Sequence, residues 1–190
     1  MKAFDYHKPS SVAEAAALFA SGSEVRPIAG GMSLLPTMKQ RLSAPSALID
    51  LSGIPALKDI SVGADTITIG AMTRHVDVAR SRDVLKALLG LAQLAGGIGD
   101  PAVRNRGTIG GSLANNDPNA DYPAAVLALS ATIVTNTREI AADQFFRGMF
   151  ETALAPGELI TAVKLPIPLT LSTAALKDPA VAHIRPAPEE

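Results

Sequence analysis

Two short glycine-rich segments carry the residue types in this sequence that are best suited to binding chemistry. The first is Ala29-Gly30-Gly31-Met32-Ser33 and the second is Thr108-Ile109-Gly110-Gly111-Ser112. Glycine allows several backbone N–H groups to turn towards one anion, and serine or threonine adds a hydroxyl donor. Two such loops could together hold the two phosphates of a dinucleotide. Taken alone, each glycine pair more often marks a tight turn, because an isolated glycine motif is a weak signal.

A third glycine segment, Gly97-Ile98-Gly99-Asp100-Pro101-Ala102, has the spacing of the Rossmann dinucleotide fingerprint. That fingerprint requires a strand before it and an acidic residue at the end of the next strand. Here a predicted helix comes before it, a proline lies inside it, and no such acidic residue follows. The sequence therefore does not predict a Rossmann site.

Composition limits the remaining chemistry. The chain of 190 residues has no cysteine and three histidines, and the histidines lack metal-ligand spacing. A thiolate nucleophile, a disulfide and a cysteine-ligated cluster are thus excluded from it. The net charge of −1 without a basic cluster argues against nucleic-acid binding. No apolar run reaches the ~18 residues of a membrane span, and no signal peptide is recognisable, so a cytoplasmic location is expected.

The elements expected around the first loop alternate between helix and strand. A capping box at Ser11–Glu14 begins a helix, and Glu24–Ile28 is a short strand that leads into the loop. Leu34–Leu42 is predicted as a second helix and Ala47–Leu51 as a buried strand. This order predicts a small α/β lobe with parallel strands over residues 1–55.

The second loop is expected within a larger α+β lobe over residues 56–166. Thr73 is predicted to cap a helix, with His75 on the surface, and a longer helix is predicted at Asp83–Ala95. Gly96–Asp121 is predicted to hold little regular structure, and two hairpins and a closing strand, Glu158–Leu165, supply the β structure. The fold class is therefore α+β, and the proline-rich residues 167–190 are expected to form an irregular tail.

Read together, these motifs resemble those of a known family. Besides the two loops, the segments that carry the resemblance are Ile69-Gly70-Ala71-Met72-Thr73, Asp100-Pro101-x-Val103-Arg104-Asn105-x-Gly107, Asn115-Asn116-Asp117-Pro118-x-x-Asp121 and Gly157-Glu158-Leu159-Ile160. In this order, from about Phe4 to Pro166, they resemble the FAD-binding (medium) subunits of the xanthine dehydrogenase and carbon monoxide dehydrogenase family of molybdenum hydroxylases.

The resemblance implies a fold, a cofactor and a site. The fold would be the two-lobed FAD-binding fold of the PCMH (vanillyl-alcohol-oxidase-like) type. Both glycine loops would embrace the FAD pyrophosphate, Asp121 would contact the cofactor, Ile160 would line its adenine end, and Ile98 would lie near the flavin. The implied cofactor-binding residues are Ala29, Gly30, Gly31, Met32, Ser33, Ile98, Thr108, Ile109, Gly110, Gly111, Ser112, Asp121 and Ile160, with no catalytic or metal-binding residue in this chain.

The resemblance also implies partners. A large molybdopterin-binding subunit would hydroxylate the substrate, and a small subunit with [2Fe–2S] clusters would relay electrons to the FAD subunit. The FAD subunit would pass them to an external acceptor, within a heterotrimer.

Two departures from the family leave an alternative open. Met32 stands where many members have histidine, and the family continues past Pro166 into a third lobe that residues 167–190 do not resemble. The chain is therefore expected to be a C-terminally truncated member. The alternative is a flavin-free remnant or scaffold module. A direct-acting flavin oxidase of the p-cresol methylhydroxylase type is disfavoured, since it needs a further substrate-binding domain.

Overall fold

The computed structural model describes residues 1–168, so residues 169–190 of the predicted tail lie outside the described part. The helices are α1 (Val12–Ala20), α2 (Leu34–Lys39), α3 (His75–Arg80), α4 (Arg82–Ala87), α5 (Leu89–Gly97), α6 (Pro101–Arg104), α7 (Ile109–Asn115), α8 (Asp121–Ala128) and α9 (Ala142–Phe145). The strands are β1 (Asp5–His7), β2 (Val25–Ile28), β3 (Ala47–Asp50), β4 (Ile60–Val62), β5 (Thr66–Gly70), β6 (Thr132–Thr135), β7 (Glu139–Ala141), β8 (Phe146–Gly148), β9 (Glu151–Thr152) and β10 (Ile160–Pro166). This mixture confirms the α+β class.

A small parallel sheet carries the first glycine loop. Its strand order is β1–β3–β2, and both neighbours of β3 run parallel to it. Helix α1 begins as the capping box predicts, because the Ser11 hydroxyl accepts the Glu14 N–H at 3.2 Å. Strand β1 was not predicted, and all three of its residues are exposed, so it has no apolar pattern to read. The first loop leaves the end of β2 and leads into α2.

A five-stranded antiparallel sheet forms the second structural layer. Its order is β4–β5–β10–β6–β7, which places β10, the last strand within residues 1–168, between the two predicted hairpins. Strand β10 pairs with β5 from Ala162 to Pro166 and with β6 from Ile160 to Lys164. Helices α3, α5, α7 and α8 contribute buried residues to the cluster that covers this sheet.

The buried side chains fall into two hydrophobic clusters. One surrounds the small sheet and includes Ala15 and Ile49, and the other surrounds the five-stranded sheet. The first cluster also takes in Leu57, Met72 and Leu159, which come from beyond the predicted boundary at residue 55. The division into lobes at 1–55 and 56–166 therefore stays a prediction.

The region from Gly96 to Asp121 differs from its prediction, because it contains two helices. Helix α6 begins at Pro101 after Asp100, whose carboxylate accepts the Val103 N–H at 2.9 Å. Helix α7 begins after Thr108, whose hydroxyl accepts the Gly111 N–H at 3.2 Å. Side-chain caps thus start helices that the glycine content disfavours.

Two further local predictions were wrong. The predicted helix at Asp83–Ala95 is two helices, α4 and α5, which meet at Leu88 with a non-helical backbone. Thr73 does not cap α3, since its hydroxyl donates to the Lys58 carbonyl at 3.2 Å instead. This bond ties the segment before α3 to the chain that enters β4.

A buried carboxylate joins the β6–β7 turn to the start of β10. The side chain of Glu158 is 2% exposed. One of its oxygens accepts both hydroxyls of Thr135 and Thr137, at 2.7 and 2.8 Å, and the Arg138 Nε–H at 2.9 Å. The other accepts Arg138 Nη2 at 3.0 Å and the Ala155 N–H at 2.8 Å. Mainly because of Arg138, the pKa of Glu158 falls to about 2, so the carboxylate is ionised at neutral pH.

Candidate dinucleotide-binding groove

A groove of about 610 Å³ runs between the two glycine loops. It brings together residues that the sequence places far apart, from the small sheet, from the residue that follows α5 and from the first turn of α7. Eleven of the thirteen predicted site residues line it. They are Ala29, Gly30, Gly31, Met32, Ser33, Ile98, Thr108, Gly110, Gly111, Ser112 and Ile160.

The other two predicted residues lie elsewhere. Ile109 is fully buried in the hydrophobic cluster beneath α7. Asp121 is exposed at the first position of α8 and does not line the groove. Their contacts with a cofactor stay predictions, as do the roles of the eleven that line the groove.

The two loops touch each other, and this contact requires glycine. A Cβ atom on Gly30 would lie 2.2 Å from the carbonyl oxygen of Arg106 and 2.7 Å from the Cα of Gly107. A Cβ on Gly111 would lie 3.4 Å from the Cβ of Ala29 in the first loop. No side chain larger than hydrogen fits at Gly30 without movement of backbone atoms. The glycines therefore hold the loops together as well as leave the floor of the groove open.

The two loops differ in the backbone donors that they offer. In the second loop the N–H groups of Ile109 and Gly110 donate to protein carbonyls at 3.1 and 2.9 Å, and that of Gly111 donates to the Thr108 hydroxyl. In the first loop, among the described residues, the N–H groups of Gly31, Met32 and Ser33 have no protein acceptor. The expectation that both loops direct free N–H groups at an anion thus fits the first loop only.

Other features of the first loop also suit an anion. Gly31 has φ +74°, a conformation that glycine adopts at little cost. Ser33 precedes α2, and its exposed side chain makes no capping bond. A hydroxyl and three N–H groups are therefore available within five residues, and the second loop adds Ser112 across the groove.

Arg104 positions the apolar wall of the groove. Its guanidinium donates to the carbonyl oxygens of Ile98 and Gly99 at 3.0 and 2.9 Å. These bonds hold the end of α5, where Gly99 adopts φ +51° and Ile98 lines the groove. Neither Arg104 nor Arg106 lines the groove itself.

Beneath the second loop lies a buried histidine, which corrects the prediction of a surface residue. His75 is 4% exposed and lines the groove, and its backbone N–H donates to the Gly107 carbonyl at 3.0 Å. Its ring lies 5.3 Å from that of Tyr122, and neither His75 Nδ1 nor the Tyr122 hydroxyl has a protein partner. Burial lowers the pKa of His75 to about 4 against the opposing charge of Asp121, and burial raises the pKa of Tyr122.

The described part of the chain offers neither a metal-binding cluster nor a membrane-spanning helix. Residues 1–168 contain no group of three or more His, Asp or Glu side chains that could hold a metal ion. Within the same range, every helix is too short or too polar to cross a membrane.

Comparison with known proteins assigns the fold to a family. Residues 2–168 match the family described as "FAD binding domain in molybdopterin dehydrogenase". The chain belongs to this family. This chain is similar to the carbon monoxide dehydrogenase medium chains of Afipia carboxidovorans, at 41% identity over 172 residues, and of Hydrogenophaga pseudoflava, at 44% identity over 168 residues. These alignments cover 88% and 86% of this chain.

Solved structures agree with this assignment. Carbon monoxide dehydrogenase from Hydrogenophaga pseudoflava superposes with a TM-score of 0.87 at 42% identity, over 89% of this chain and 61% of that one. Quinoline 2-oxidoreductase from Pseudomonas putida superposes with a TM-score of 0.86 at 38% identity, again over 89% and 61%. The chain spans about 60% of the length of the two curated medium chains. The chain therefore has the α+β FAD-binding fold of this family.

Proposed function

We propose that this chain binds FAD in the groove and serves as the FAD-binding part of an electron-transfer subunit in a molybdenum hydroxylase complex. The observation that carries this proposal is the meeting of the two loops across one groove, with free N–H groups on one side. A pyrophosphate is the ligand that such a neutral donor cradle suits, even in a chain with a net charge of only −1. The volume of about 610 Å³ lies within the roughly 300–1,000 Å³ typical of cofactor pockets.

Different residues of the groove would bind different parts of such a cofactor. The N–H groups of Gly31 to Ser33 and the hydroxyls of Ser33 and Ser112 would bind the phosphates. Ile98 and Ile160 would exclude water from the apolar rings. Bound FAD would supply the one- and two-electron chemistry, while the chain binds and orients it.

The partners follow from the relatives rather than from the groove. Similar chains are named as the medium chain of glyceraldehyde dehydrogenase and the medium subunit of nicotine 6-hydroxylase, at 37% and 38% identity. By analogy we propose a large molybdopterin-binding subunit and a small [2Fe–2S] subunit as partners, in the cytoplasm. Electrons would travel from the clusters to the flavin and on to an external acceptor, and the large subunit would select the substrate.

FAD retention by the full chain tests the proposal directly. The purified protein is mixed with excess FAD and desalted, and its visible absorption is recorded. We expect a flavin band in the wild type and its loss in Gly30→Ala, where the new Cβ would meet the Arg106 carbonyl at 2.2 Å. Gly63→Ala is the matched control, because a Cβ there meets nothing closer than 3.4 Å.

A second variant separates binding from folding. Ser33→Ala removes one hydroxyl from an exposed side chain, so it should fold normally by circular dichroism and bind FAD more weakly. A folded wild-type chain that retains no flavin, alone or with its partner subunits, would contradict the proposal and favour the scaffold alternative.

A further inference from the structure

The β8–β9 hairpin carries an aromatic residue in an unusual backbone conformation. Phe150, at its tip, has φ +58° and is 58% exposed. Left-handed backbone is disfavoured for a bulky side chain, and exposure of a large aromatic ring is also unfavourable. Backbone strain of this kind tends to occur at functional sites, where the surrounding structure maintains it.

Helix α7 maintains this conformation through Asn116. The Asn116 side-chain NH₂ group donates to the backbone carbonyls of Gly148 and Glu151 at 2.7 and 2.9 Å, and the backbone carbonyl of Asn116 accepts the Phe150 N–H at 3.1 Å. Asn116 is 8% exposed and itself left-handed, at φ +44°. The hairpin tip is thus fixed to the end of the helix whose first turn is the second glycine loop.

Phe150 lines the groove, whereas its neighbour Met149 does not. Asn116, which caps the end of α7, lies six positions after Gly110, a rise on the order of 9 Å. An aromatic face repels phosphate and attracts flat ring systems. If the pyrophosphate lies at the glycine loops, Phe150 is about one sugar unit away from it. The group expected beside Phe150 is therefore a ring system attached to that sugar.

We propose that Phe150 is a cofactor-binding residue that packs against one of the two ring systems of FAD at the mouth of the groove. This inference rests on the proposed function, since it requires FAD in the groove. It explains why three hydrogen bonds from one helix end hold the hairpin backbone in the left-handed conformation that places an exposed ring at the groove.

The strained backbone provides a sharp test. In Phe150→Gly the ring is removed and the left-handed backbone is relieved, so the chain without cofactor should be as stable as the wild type or more so. Loss of one stacking contact should weaken FAD binding about tenfold. A merely structural residue would not show weaker binding together with unchanged or greater stability. Phe150→Trp should restore the affinity, and Met149→Ala, at the more exposed neighbour, should leave it unchanged.

The measurement is a fluorescence titration of FAD into the full 190-residue chain, with the thermal midpoint of each variant recorded without FAD. Competition by ADP and by FMN identifies the ring, since only the fragment that touches Phe150 should lose affinity in Phe150→Gly. Wild-type affinity in Phe150→Gly overturns the inference and leaves the proposed function intact. A wild-type chain that binds no FAD overturns both.

Discussion

Replacement of Glu158 by glutamine removes the charge of a side chain that is 2% exposed and keeps its shape. Five donor groups point at the two carboxylate oxygens. Glutamine has only one acceptor oxygen, so its NH₂ group must face donors on one side. Arg138, which is half exposed, would then lose its charged partner.

The size of the effect follows from the pKa of Glu158. This pKa lies at about 2 rather than 4.5. The difference corresponds to about 3 kcal/mol of stability at about pH 7, which Glu158→Gln should remove. In a domain of this size such a loss lowers the thermal midpoint by about 10 °C. Because the pKa is lowered in the folded state, this stability is present above pH 4.5 and is lost as the pH falls towards 2.

The assay is urea unfolding followed by far-UV circular dichroism at several pH values. Wild type and Glu158→Gln should differ most at about pH 7 and converge only at about pH 2, where Glu158 becomes protonated in the folded chain as well. Glu139→Gln is the control, since Glu139 pairs with Lys164 on the surface and is 53% exposed. That variant should change stability by less than about 1 kcal/mol. Equal stability of wild type and Glu158→Gln at neutral pH, or a gap that persists in acid, would refute this reasoning.

Three further predictions concern stability. His75 has a pKa of about 4 rather than 6.5 and so resists protonation in the folded chain, which means that the stability should fall by about 3 kcal/mol as the pH drops from 6.5 to 4. In urea unfolding, the stability of His75→Asn should depend less on pH in that window, and the same pH dependence as in the wild type would contradict the prediction. Gly110→Ala should lower the stability by about 1–3 kcal/mol, because its Cβ would lie 2.5 Å from that of Ala71. Gly96→Ala, whose Cβ would meet nothing closer than 3.8 Å, should raise the stability by about 0.5–1 kcal/mol in the same urea titrations. Asn116→Ala should lower the stability by about 2 kcal/mol, because it removes the two side-chain hydrogen bonds to the β8–β9 hairpin. Faster proteolysis at that hairpin would show the loss of these bonds.

Local signals in the sequence predicted those elements whose structure depends on neighbouring residues. The capping box at Ser11 and the β4–β5 and β6–β7 hairpins formed as expected, since caps and turns act over a few residues. Helix α7 was missed because its glycines argue against a helix. What stabilises it is distant in sequence, namely the contact of Gly110 with Ala71 and the burial of Leu113. Local propensity cannot reveal such packing.

The candidate site was found by resemblance, while its physical details were not. The motifs led to both loops, and eleven of thirteen residues line one groove. The second loop lacks free N–H groups because those of Ile109 and Gly110 donate to carbonyls that are distant in sequence. The burial of His75 and the position of Phe150 depend on long-range contacts too, with Gly107 and Asn116. A single sequence carries no signal for these pairings.

The position of β10 has a consequence for biosynthesis. The hairpins β4–β5 and β6–β7 are both synthesised before β10, the strand that lies between them in the sheet and ends at Pro166. Until that strand leaves the ribosome, β5 and β6 each expose an open edge, and such edges invite pairing with other chains. Loop closure over the roughly hundred residues from β5 to β10 also slows folding. The nascent chain should therefore depend on chaperones until β10 is in place, and a stop codon before Ile160 should give an aggregating product rather than a smaller domain.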